Sequence, residues 1–113
     1  MSIELYEALT EELEDARHAV GELRRLARDK ASAEAKYQRA KAETALKLKA
    51  EGHPATMIQM ILKGDRRVTN ALFARDCAEA EYEATVHELN FHKQNAKHIE
   101  AQIEREWAQA KRQ

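Results

Sequence analysis

The chain has 113 residues, with 19 Lys and Arg against 20 Asp and Glu, 43% apolar and only 5% aromatic residues. That balance bounds it to one domain of long helices and excludes a sheet protein. The single cysteine excludes an internal disulfide framework, and no apolar run approaches the roughly 20 residues of a bilayer span.

The N-terminal stretch with Glu4, Glu7, Glu11, Glu12, Glu14 and Asp15 is too acidic for a signal peptide. The chain therefore reads as soluble and cytoplasmic, with no membrane partner. A first helix is expected over residues 2–50, with Ser2 as N-cap and Glu4 at the positive end of the helix dipole. Lys47 and Lys49 suit its negative end, and Gly52 is placed to take the left-handed C′ conformation. At 1.5 Å per residue such a helix is roughly 70 Å long.

Residues 51–65 are the one break, holding the sole proline and two of the three glycines. Pro54 disfavours helix at His53. Thr56-Met57-Ile58-Gln59 has the form of a capping box opening a short helix that Gly64 stops. Asp65 then caps a last helix over residues 66–110.

The long arms carry heptad-like seams. Leu9, Leu13, Ala16, Val20 and Leu23 follow 4-3-4-3 spacing; Val68, Leu72, Arg75, Glu79, Tyr82, Val86, Leu89, Lys93, Ala96, Glu100 or Ile99, and Ile103 continue a matching series. Folding at the break pairs Leu48 with Val68, Tyr37 with Glu79 and Leu9 with Trp107. Charge agrees: residues 76–90 hold Asp76, Glu79, Glu81, Glu83 and Glu88 without Lys or Arg, while residues 24–41 are mostly basic. The expected fold is all-α, a long antiparallel coiled-coil-like hairpin in a single domain with a short helix at its tip. Seams this thin bury little, so a homo-oligomer is expected, with a dimer closing a helical bundle favoured.

No catalytic set can be assembled. His87, His92 and His98 are five and six residues apart and do not share a helical face, so they read as surface histidines and no metal is expected. Cys77 reads as a small packed thiol. There is no Gly-rich phosphate loop and no Ser-His-Asp set, so the chain is expected to be no enzyme and to carry no cofactor.

Two features remain as candidate sites. Lys41, Arg75, Asp76 and Glu79 lie on or beside the seam, either as an ion network that sets register (Lys36 and Arg39 being further partners) or as a polar ligand pocket. At the tip, Lys63, Arg66, Arg67 and Asn70 with His53, Met57 and Met60 form a basic and apolar rim suited to phosphate, a carboxylate surface or a partner protein. Residues 56–73 also mimic a helix-turn-helix, although the second helix runs on for dozens of residues. A nucleic-acid partner has only that weak support.

The run Gly52-His53-Pro54-Ala55-Thr56-Met57-Ile58 through Gly64, then Arg75-Asp76-Cys77-Ala78-Glu79, Tyr82-Glu83-Ala84 and Gln102-Ile103-Glu104-Arg105-Glu106-Trp107, resembles a family of small helical proteins of tailed bacteriophages and prophages. The resemblance covers about residues 3–108. It implies a phage origin and action in the bacterial cytoplasm, often beside recombination and single-strand-binding genes, and it carries over no catalytic residue. The expectation is a phage accessory protein acting by stoichiometric binding, inhibiting a host defence component or sequestering its nucleotide signal. The alternatives are an accessory to phage recombination or replication, touching DNA or a recombinase through the tip, and a structural coiled-coil spacer.

Overall fold

The computed structural model describes residues 3–112; the expected Ser2 cap lies outside them. Helix α1 spans Ile3–Ala50, α2 Ala55–Gly64 and α3 Arg66–Arg112, with no strand among the described residues. The two long helices pack against each other as a hairpin with α2 at the connection. No helix among the described residues is long and apolar enough to cross a membrane.

The first helix ends as its residues dictate. Gly52 takes φ +88°, His53 N–H donates to Leu48 O at 3.2 Å and Gly52 N–H to Lys49 O at 3.0 Å. These are the two bonds of a Schellman ending, which satisfy carbonyls the helix leaves orphaned.

The start of α2 corrects an expectation. Pro54, at φ −71° and ψ 156°, occupies the cap position, and no side chain caps the helix. Thr56 already lies within the first turn, so the capping box does not form. The proline is preset for this role by its ring, and its carbonyl accepts the bond from Ile58 N–H at 3.0 Å. Gly64 belongs to α2. The break itself is the single extended residue Asp65 (φ −67°, ψ 130°), whose Oδ2 accepts Val68 N–H at 3.0 Å as the expected cap of α3.

The chain clusters into two compact units, Arg25–Tyr82 and Met1–Arg24 with Glu83–Gln113. In the unit that holds the connection, Ile58, Leu62 and Val68 form the buried cluster, and Tyr37, Ala45 and Leu48 pack against it. Leu48 and Val68 thus share one cluster, as expected. The rest of the register is shifted: Arg67 meets Glu43, and Arg75, not Glu79, lies over Tyr37. The reason is α2. Its ten residues, roughly 15 Å of helix, lie along the end of α1 with Ile58 and Leu62 turned inward. The chain therefore descends beside α1 before α3 begins.

In the other unit, the buried residues are Ala19, Ala96 and Ile103, while Leu13 is 49% and Val20 42% exposed. The α1 seam there runs through Leu9, Glu12, Ala16, Ala19 and Leu23, all at least half-buried. Leu9, Ala16 and Leu23 fit either a 4-3 or a 3-4 step, so composition favoured Leu13 and Val20 where packing selects Glu12 and Ala19. On α3, His92 takes the seam place expected for Lys93, which is exposed. Trp107 Nε1 donates to Tyr6 Oη at 3.2 Å, one turn from the expected partner Leu9.

Candidate functional site

The tip residues divide into three groups. On α2, Met57 and Met60 are 44% and 70% exposed, opposite the buried Ile58 and Leu62. That short helix is apolar on two sides, one closing the core and one facing solvent. His53 Nε2 lies 3.6 Å from Glu51, and Arg67 is hydrogen-bonded to Glu43, so a carboxylate stands beside each. Lys63, Arg66 and Asn70 are exposed.

Lys63 meets an unexpected companion. With Lys41 it lines a cavity of about 210 Å³ between the three helices, completed by Tyr37, Gln59, Leu62, Val68, Thr69 and Leu72. The lining offers two ammonium groups, an amide and two hydroxyls, and no carboxylate. The local fold explains the pairing: α2 brings Lys63 down beside α1, where Lys41 projects from the middle of the packed face. The Lys41 ammonium also lies 5.8 Å from the centre of the Tyr37 ring. The Arg75 guanidinium sits 4.8 Å from the same ring, so Tyr37 is held by two cations.

Arg75 is the centre of the polar seam. Its Nη2 donates to Asp76 Oδ1 at 3.0 Å and its Nη1 reaches Glu34 Oε2 at 3.5 Å. The hydrogen bond to Asp76 raises its pKa, Asp76 and Glu34 act the same way through their charge, and burial opposes them. Among the described residues no ion pair joins Lys36, Arg39 or Lys41 to Asp76 or Glu79; the cross-helix carboxylate is Glu34. Glu79 instead lines an open groove of about 470 Å³ with Lys30, Glu34, Arg75, Ala27 and Ala31. Two cations and two carboxylates leave this groove electrostatically balanced. Lys30 lies over the Tyr82 ring at 4.9 Å.

Sequence reasoning missed the chemistry of the other unit. His92 is only 15% and Glu12 21% exposed, and His92 Nδ1 lies 2.6 Å from Glu12 Oε2. Asn95 Nδ2 donates to Glu12 Oε1 at 3.4 Å, and His92 Nε2 lies 3.8 Å from Glu88 Oε1. Asp15 completes a group whose ligand atoms all lie within 4.8 Å of one another. The bond from Glu12 raises the His92 pKa, the charges of Glu12, Asp15 and Glu88 add to the effect, and burial opposes it. His92 is thus not the surface histidine its spacing suggested, because its partners lie on the other helix, 77 to 80 residues away in sequence. The available signal was Glu12, a charge where the apolar stripe needed a seam residue. Cys77 departs from expectation in the opposite sense: it is exposed rather than packed.

Compared with protein-family models, curated proteins and solved structures, the chain matches none.

Proposed function

We propose that this is a phage accessory protein that acts by stoichiometric binding, without turnover, and that it takes up the nucleotide signal of a host defence system. The observation that supports this reading is the cavity with Lys41 and Lys63, lined also by Tyr37, Gln59 and Thr69 and free of carboxylates. Two ammonium groups with neutral donors and no competing anion suit a phosphoryl group, and Lys is a common phosphate binder. A volume of about 210 Å³ is below the roughly 300 Å³ at which whole small-molecule pockets begin. The cavity takes the phosphate end of a ligand, whose remainder lies outside it.

The test is capture from infected bacteria with the intact protein and with Lys41→Glu/Lys63→Glu, analysing bound protein and small nucleotides together. The expected result is a nucleotide retained by the native chain and absent from the double variant. Equal nucleotide content in both, or none in either across hosts with different defence systems, counts against the reading.

A second reading, an accessory to recombination that touches DNA through the tip, is favoured by Lys49, Lys63 and Arg66, which all face solvent. It predicts salt-dependent retardation of DNA that Lys63→Glu/Arg66→Glu removes, because phosphate contacts release counterions.

The binding form is a homodimer. Tyr6, Leu13 and Val20 recur every seven residues on one face of α1 and are each more than 40% exposed. That stripe is the surface a second copy covers.

A further inference from the structure

We propose that Glu12 and Asp15 of α1 and His92 of α3 form a site for one divalent transition-metal ion of the zinc class. The three ligand atoms already lie within 4.8 Å of one another. In a tetrahedral zinc site with bonds of about 2.0–2.2 Å, ligand atoms are about 3.3–3.6 Å apart. Insertion of the ion spreads Glu12 and His92 slightly from their 2.6 Å contact and draws in Asp15, which is exposed.

Two features separate this group from a chance meeting of surface charges. Glu12 and His92 both stand in the helix–helix seam, at positions that apolar side chains would otherwise fill, and both are at least three-quarters buried. Each also has a polar neighbour behind it. Asn95 donates to the second oxygen of Glu12, while the exposed Glu88 carboxylate lies on the Nε2 side of the imidazole at 3.8 Å, beyond hydrogen-bond length. A rotamer change of Glu88 closes that gap and gives the carboxylate that commonly backs a metal-bound histidine. Nδ1 then faces the ion. One imidazole nitrogen and two carboxylates suit zinc, manganese or ferrous iron over calcium, which prefers an all-oxygen shell of six to eight ligands. Water fills the remaining position through the open Asp15 side, which is also the route of entry. The two carboxylates neutralise the ion, so no net charge is placed in the seam.

The experiment is calorimetric titration of the full-length, chelator-stripped protein with zinc chloride, repeated with cobalt chloride followed by visible absorption. Native protein is expected to bind one ion per chain and to give the absorption of a low-coordinate cobalt site. His92→Ala is expected to lose at least about 100-fold in affinity, the upper end of what loss of even a supporting group costs. Asp15→Asn keeps the fold, since Asp15 is exposed, and is expected to weaken binding and abolish the cobalt spectrum. Unchanged titrations in both variants would place the ion on other histidines and overturn the site. So would a stoichiometry of half an ion per chain, or no heat and no cobalt spectrum with native protein.

Discussion

Replacing Leu62 with Ala tests whether α2 is held by its inward face. Leu62 is 4% exposed and belongs to the cluster with Ile58 and Val68 on which the connection depends. Burying a leucine contributes roughly 1.5–3 kcal/mol by transfer, and leucine-to-alanine changes in cores cost about 2–5 kcal/mol once the residual cavity is counted. Leu62 also lines the 210 Å³ cavity, so the space left by truncation opens onto polar groups that water can solvate, which reduces the dry-cavity penalty. The cost therefore belongs near the low end, about 2–3 kcal/mol. Phe73, which is 71% exposed, is the control, and Phe73→Ala should stay within about 0.5 kcal/mol. The assay is urea unfolding followed by circular dichroism, with all proteins at one concentration because self-association shifts apparent stability. A loss below about 0.5 kcal/mol for Leu62→Ala, or equal losses for Leu62→Ala and Phe73→Ala, would refute the packing argument.

Gly52→Ala should cost about 1 kcal/mol in the same assay, since the site has φ +88° and open space around a new Cβ, leaving backbone strain as the cost. The His92 pKa is raised in the folded chain from its ordinary 6.5, so its contribution is complete below that value and lost as pH rises through the raised one. In chelator-treated protein, melting temperature should fall with rising pH across that window for the native chain and less steeply for His92→Gln; parallel slopes would contradict the assignment. If the proposed dimer closes over this stripe, Leu13→Glu/Val20→Glu should leave a monomer in sedimentation without altering helix content, and an unchanged sedimentation coefficient would exclude that stripe as the interface.

Much of the local structure was legible because it depends on residues within one turn of each other. Gly52 ends α1, Pro54 separates α1 from α2, and Asp65 caps α3, each for a reason carried by its own backbone or side chain. Even here α2 begins one residue before Thr56, so Pro54 and not Thr56 stands at the cap and the capping box has no place to form. The site was less legible. Lys41 and Lys63 appeared in separate groups, and only the descent of α2 beside α1 puts them in one cavity.

The sequence by itself determined an all-helical hairpin with its turn at residues 51–65, because helical periodicity and one proline are properties of the linear chain. Tertiary structure alone decided register and partners. A stripe with Leu9, Ala16 and Leu23 accepts either Leu13 and Val20 or Glu12 and Ala19 between them, and the packed helices bury the second set and leave the first exposed. That choice exposes Leu13 and Val20, and it brings Glu12 against His92. Contacts between residues 80 apart depend on where the short helix leaves the second arm, and no spacing within either arm encodes that height.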